Sequence, residues 1–257
     1  MNPNESQGAI TGAPNAFTVL TYNVGNGLAE ATRLASFVLE SGADIVGLQE
    51  IDAQQAAALN DKVADIYPYR ILLGSGFAGR GLLSKYPILD EEWHELSPGR
   101  PDLRVVLDLA GRPTTVVVAH PPPPRLRKSG IVFDPDTVAQ IHRLAEITVA
   151  APSALLLGDF NMTSRHPSYE QLTLAGLVDA YLTAGQGGGS TFPLRPGRMR
   201  RFNHRMSWVP LPSFARVDFI WHTADLSAVA AWVERGAGSD HRPVFARLVC
   251  RDNDLTS

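Results

Sequence analysis

Short apolar segments that stop at an amide, imidazole or carboxylate side chain recur along this chain and narrow its choice of fold. FTVLTYN stops at Asn23, DIVGLQE at Glu50 and TTVVVAH at His120, while ALLLG runs into Asp159 and Asn161. Asp218 lies inside ARVDFIW, and Asp240 and His241 stand before a last apolar stretch in GSDHRPV. The apolar parts have strand length. A carboxylate at the end of a buried strand needs a partner, because burying a bare charge is costly. Carboxylates and histidines gathered in such positions point to one shared site. The single cysteine, Cys250, excludes a disulfide framework and a multi-cysteine zinc site. Converging carboxylates without thiols suit a hard divalent cation with oxygen ligands, Mg²⁺ or Mn²⁺.

Around these segments the pattern is mixed. Helical spacing predicts helices over 28–39, 53–64, 136–149 and 167–175. Strands are predicted over 17–24, 44–49, 69–73, 80–84, 88–96, 103–109, 114–119, 154–157, 216–221, 226–233 and 242–249. The five strand-like pieces between 69 and 119 are separated by turn residues, which favours antiparallel pairing. Residues 185–205, rich in Gly, Pro and Arg, read as a long loop. Residues 1–16 read as a flexible tail, 17–250 as one domain and 251–257 as a second tail. With 257 residues, 44% of them hydrophobic, the chain can bury a large core. The best fit is two packed sheets covered by helices.

Charge and hydropathy remove further classes. No apolar run approaches the roughly 18 residues that span a bilayer, so stable membrane insertion is not expected. No basic segment followed by an apolar one marks a signal peptide, and a cytoplasmic monomer is the expectation. A net charge of −3 argues against a protein that simply coats nucleic acid. It leaves room for a basic groove, and 20 of the 23 cationic residues are arginine.

Each candidate also has a plainer reading. Asn23 can be a turn residue before Gly25, Glu50 a helix cap, Gly158-Asp159 an ordinary turn and Ser239 to His241 a polar hairpin loop. Asp218, flanked by Val217 and Phe219, is harder to dismiss because strands disfavour Asp. The specific signal is the joint order of these residues.

That order resembles the endonuclease/exonuclease/phosphatase superfamily, which includes pancreatic deoxyribonuclease, apurinic endonucleases, bacterial sphingomyelinases and inositol-polyphosphate 5-phosphatases. TYNVGNG, DIVGLQE, GRGLLSKYPI, VVVAH, LLLGDFNMTS, RVDFIW and GSDHRPV occur in the family's order from Thr21 to Val244. The resemblance implies a four-layer α/β/β/α sandwich of two mainly antiparallel sheets flanked by helices. It also implies metal-dependent phosphoester hydrolysis at one rim of the sheets. Glu50 resembles the principal metal ligand, with Asn23 beside it and Asp240 as a further ligand. Asp159 resembles the residue that orients and deprotonates the attacking water, and Asn161 one that holds that water or a phosphate oxygen. His241 resembles the phosphate-binding histidine and Asp218 its carboxylate partner. His120 resembles the histidine of the deoxyribonuclease, sphingomyelinase and inositol-phosphatase branches; apurinic endonucleases carry Tyr there.

The reading without the family is consistent with this. Phosphodiester hydrolysis needs an activated water, charge neutralisation at phosphorus and help for the leaving oxygen. Nucleic acid is the leading substrate, with a phospholipid or inositol phosphate as the alternative and a non-catalytic scaffold as the reading from another class. Gly25 stands where apurinic endonucleases carry an acid, which weakens an abasic-site specificity. Arg198, Arg200, Arg201 and Arg205, with Arg195, form a basic cluster that reads as a lip for polyanionic substrate or as a plain surface loop. A smaller cluster, Arg125, Arg127 and Lys128, follows Pro121 to Pro124 and reads by default as a solvated loop.

Overall fold

A computed structural model describes residues 16–128, 130–193 and 213–251. The chain opens with β1 (Ala16–Asn23), α1 (Ala31–Ser41), β2 (Ile45–Gln49) and α2 (Ala53–Lys62). Five strands follow: β3 (Tyr69–Leu73), β4 (Arg80–Ser84), β5 (Ile88–His94), β6 (Asp102–Leu109) and β7 (Arg112–Ala119). Next come a small hairpin of β8 (Arg125–Arg127) and β9 (Gly130–Val132), then α3 (Pro135–Val149), β10 (Ala154–Asp159) and α4 (Pro167–Leu174). The described chain ends with β11 (Val178–Asp179), α5 (Ala180–Ala184), β12 (Asp218–His222), β13 (Leu226–Val233) and β14 (Val244–Cys250).

Two six-stranded sheets form the centre, in the orders β13-β14-β1-β2-β4-β3 and β11-β12-β10-β7-β6-β5. Each is antiparallel except for one central parallel pair, β1 with β2 and β7 with β10. The mainly antiparallel sandwich expected from the sequence is therefore what forms. Its core has three parts. Val19, Ile45, Val116, Val118, Leu155 and Leu157 fill the space between the sheets. Their alternates Leu20, Tyr22, Val46 and Leu48 pack on Leu34, Val38 and Leu59 of α1 and α2. Val117, Leu156, Phe219 and Trp221 pack on Ile141, Leu144 and Leu172 of α3 and α4. Both faces of the central strands are thus buried, which is why they read as continuous apolar runs and not as alternation.

The helix ends show why the predicted bounds moved. α1 starts at Ala31, later than predicted, because the Glu30 carboxylate accepts from the N–H groups of Thr32 and Arg33. Gly42 closes it in the left-handed conformation, φ 65°. α2 is opened by Asp52 and not by Glu50. Asp52 Oδ1 accepts from Gln55 N at 2.7 Å, and Gln55 Oε1 accepts from Asp52 N at 2.9 Å. That leaves the Glu50 side chain free for the site. The β8–β9 pair, read from sequence as a solvated loop, is an antiparallel ribbon.

One glycine is required by close packing. A Cβ on Gly158 would lie 2.0 Å from the carbonyl oxygen of Ala119 in the neighbouring parallel strand. Gly158→Ala therefore forces β7 and β10 apart next to Asp159. It is expected to destabilise the chain by about 2–3 kcal/mol and to lower turnover as well, checked by urea unfolding and an activity assay on the same preparation.

Candidate active site

The parallel pairs place the site. β1, β2, β7 and β10 end at or just before Asn23, Glu50, His120 and Asp159. The antiparallel neighbour of β10 sets Asp218 directly opposite Asp159. Two like charges facing each other on adjacent strands repel, and burial with the Asp159 charge raises the Asp218 carboxyl, so a cation between them favours this register. The cation comes from the other sheet. β14 runs antiparallel to β1 with Val244 beside Thr21, so the turn before it delivers His241 to the end of β1.

His241 Nδ1 bonds Asp218 Oδ2 at 2.9 Å, and its Nε2 lies 3.6 Å from Asp159 Oδ2. Burial works against a charged ring, but Asp218 and Asp159 outweigh it and hold the imidazole up at about 10. His241 is therefore an imidazolium at neutral pH. Burial likewise opposes ionisation of Asp159, yet the His241 charge and the bond from His120 bring its carboxyl down to about 2. Asp159 Oδ2 is the focus of the site. Asn23 Nδ2 donates to it at 3.0 Å, and His120 Nε2 lies 3.5 Å away. Asp159 Oδ1 accepts from Asn161 N at 2.8 Å.

His120 behaves differently from His241. Burial pushes its imidazole down to about 4, so the ring is neutral at neutral pH. Its Nε2 lies 3.5 Å from both Glu50 Oε1 and Asp159 Oδ2. Glu50 is pushed up to about 7, first by burial and then by the Asp159 charge. Its backbone is left-handed, φ 58°, as is that of Asn161, φ 52°. Neighbours enforce the first: Glu50 N donates to Gly79 O at 2.9 Å, and Glu50 O accepts from Asn26 N at 2.8 Å. Strained residues at two site positions fit a functional constraint. Asn161 Nδ2 donates to Pro121 O at 3.0 Å and braces the strand exit after His120. Asp240 lies beside His241, and its charge acts on both Glu50 and His241.

The structure thus brings together Asn23, Glu50, His120, Asp159, Asn161, Asp218, Asp240 and His241 from loops and strand ends of both sheets. Arg198, Arg200, Arg201 and Arg205 lie outside the described residues. Sequence reasoning missed the layer behind the site. Arg80 is fully buried; its Nη2 donates to His120 O at 3.3 Å and lies 3.9 Å from Asp102 Oδ1. Asp102 accepts from His120 N at 3.1 Å and from Gln140 Nε2 at 2.7 Å. Together they grip the His120 backbone at both its polar atoms. The available signal was an ionisable residue starting an apolar strand, in RGLLS and DLRVVL. Ser239 Oγ also went unread; it donates to Asn23 O at 2.7 Å and accepts from His241 N at 3.1 Å, stapling the last loop to β1. The Phe192 ring packs on His241 with centroids 4.7 Å apart.

A metal fits this donor set. Asp159 and Asp218 bring carboxylate oxygens close together, while the His241 imidazolium between them, protonated on both ring nitrogens, is no ligand. Glu50 adds an oxygen donor; burial and the Asp159 charge raise its carboxyl even though the His241 cation lowers it, so a further cation beside it is favoured. Residues 20–241 match the Endonuclease/Exonuclease/phosphatase family.

The chain belongs to that family. Members of the endonuclease/exonuclease/phosphatase family are generally hydrolases of phosphoester bonds and typically depend on a divalent metal. No curated protein matches this member by sequence. Among solved structures, the endonuclease/exonuclease/phosphatase from Bacteroides vulgatus is 21% identical with a TM-score of 0.68, over 93% of this chain and 100% of its own. TDP2 from D. rerio, complexed with single strand DNA product, is 16% identical with a TM-score of 0.68, over 91% and 99%. The beta toxin from Staphylococcus aureus is 16% identical with a TM-score of 0.66, over 90% and 99%. These are likenesses of fold. Among the described residues, no helix is long and apolar enough to cross a membrane.

Proposed function

We propose that this chain is a divalent-metal-dependent phosphodiesterase that cleaves its substrate by attack of an activated water. The observation that carries the reading is the convergence on Asp159 Oδ2 of Asn23, His120 and the His241 imidazolium, with Glu50 beside them. Asp159, ionised and aimed by Asn23, orients the water and takes its proton. His241, held charged by Asp218, binds the scissile phosphate and stabilises the charge that builds on it. Neutral His120 donates a hydrogen bond to a phosphate or leaving oxygen, and Asn161 holds the loop that frames both. Glu50, with Asn23 and Asp240, holds the metal, since an imidazolium at His241 is no ligand. Mg²⁺ or Mn²⁺, when bound, supplies positive charge to the phosphate and acidifies water.

Nucleic acid is the leading substrate, supported by the arginine cluster between Arg195 and Arg205 and by the DNA product bound to the D. rerio TDP2 structure. A second reading, a phospholipid or inositol phosphate, is favoured by the exposed β8–β9 hairpin that follows His120 and Pro121 to Pro124 in the chain. The test offers supercoiled plasmid, phospholipid vesicles and the soluble diester bis(p-nitrophenyl) phosphate, with Mg²⁺ or with chelator. Metal-dependent turnover is expected, slowed about 10³-fold in His241→Ala. Binding of any of these substrates without turnover under every divalent ion would establish the non-catalytic scaffold instead.

A further inference from the structure

After Trp221, Arg80 is the largest fully buried side chain among the described residues. A buried guanidinium is costly unless it is paired and hydrogen-bonded, so its place calls for a reason. In β4 it stands opposite Gln49 of β2 and shares a face with Leu82, which packs between the sheets. The side chain therefore lies between the two sheets at the end that carries the site, and its fork reaches both. Nη1 donates to Gly79 O at 2.9 Å, beside its own strand. Nη2 donates to His120 O at 3.3 Å, on the other sheet, and lies 3.9 Å from Asp102 Oδ1.

Both carbonyls belong to the framework of the site. Gly79 O also accepts from Glu50 N at 2.9 Å, one of the bonds that keep the Glu50 backbone left-handed, φ 58°. The His120 N–H is held at 3.1 Å by Asp102, which Gln140 Nε2 fixes in turn at 2.7 Å. One planar group thus ties the segment that carries Glu50 to the segment that carries His120. Their side chains meet at 3.5 Å, Glu50 Oε1 to His120 Nε2. Apolar packing between the sheets is non-directional. A guanidinium fork fixes both angle and distance.

We infer that Arg80 is a positioning residue that sets the separation of Glu50 from His120 across the two sheets. It holds the metal-binding and phosphate-binding sides of the site at one spacing and, being fully buried, does so without touching substrate. Those two roles rest on the phosphodiesterase reading; the clamp itself does not. The plainer role, a counter-ion for Asp102, makes a different prediction. Lysine would supply the same charge, but as a point and not as a fork.

The test compares Arg80→Lys, Arg80→Met and the neutral pair Arg80→Met with Asp102→Asn in the full chain. Removing one partner of a buried ion pair leaves the other uncompensated, so the neutral pair keeps the test available where Arg80→Met alone fails to fold. Turnover of bis(p-nitrophenyl) phosphate with Mg²⁺ should fall about 10²-fold in every variant, chiefly in kcat. Mg²⁺ affinity by calorimetry should weaken about tenfold. In the metal-free chain, the Glu50 and His120 amides should exchange hydrogen about tenfold faster, while the Leu20 amide of β1 exchanges as in wild type. Wild-type turnover in Arg80→Lys would show that charge alone is needed and overturns the inference. Exchange that quickens equally at Leu20 in each variant that loses turnover is general loosening and overturns it too. A wild-type chain that turns over no diester with any divalent ion removes the enzyme reading alone. The clamp then stands if exchange quickens only at Glu50 and His120, and falls if it does not.

Discussion

Asp159→Asn is expected to lower turnover of a soluble phosphodiester by about 10³–10⁴-fold without loss of fold. The exchange preserves shape and removes one charge. It also turns an acceptor at the focus of the site into a group that presents N–H donors. Asn23 Nδ2, at 3.0 Å, would then meet a donor or only half of the former acceptor. His241 would keep Asp218 at 2.9 Å as its counter-ion, so the imidazolium survives and the cost in stability is limited. The variant has a second signature. The Asp159 charge is one of the causes that push Glu50 up to about 7, so Glu50 should ionise at lower pH in Asp159→Asn. A variant that turns over within tenfold of wild type would remove Asp159 from the chemistry.

Removal of the metal should have an effect of similar size. Chelation is expected to abolish turnover, by about 10³-fold or more, and Mg²⁺ or Mn²⁺ to restore it. The affinity should also depend on pH in a defined window. Glu50 must lose its proton to ligate, and its carboxyl titrates near 7. Metal affinity should then weaken about tenfold for each pH unit below that point and level off above it. Calorimetry in two buffers of different ionisation enthalpy reads the released proton directly. Glu50→Gln should lose both the affinity and its pH dependence. The same shift predicts stability of the metal-free chain. A carboxyl raised from 4.5 to about 7 contributes stability below 4.5 that is lost as pH rises through 7. His241, raised from 6.5 to about 10, acts in the same direction across its own window. Between pH 6.5 and 8 the metal-free chain should therefore melt lower as pH rises. Metal affinity unchanged between pH 5 and 8 would place the ligands elsewhere.

Much of this protein was legible in its order of residues. Strands such as DIVGLQ and ALLLG declare themselves by apolar runs, and their ends by the polar residue that stops them. Element bounds shifted where side-chain caps intervened, as at Glu30 and Asp52. The hairpin after the proline run was not legible, because RLRKSGIV has no buried face to impose a period. Arg80 and Asp102 were missed for a different reason. A charged residue at the start of a strand reads as solvated unless its surroundings are known, and here both are buried behind His120.

Sequence alone singled out the polar side chains that the structure gathers at one place and the strand ends they occupy, because strand length, apolar run and terminating residue are local properties. The tertiary structure decided their charge. Register set Asp159 against Asp218, the crossing of β14 beside β1 brought His241 from the other sheet, and burial kept His120 neutral while those carboxylates kept His241 charged. Ionisation depends on dielectric and on neighbours within a few ångströms, and those neighbours come from segments far apart in the chain.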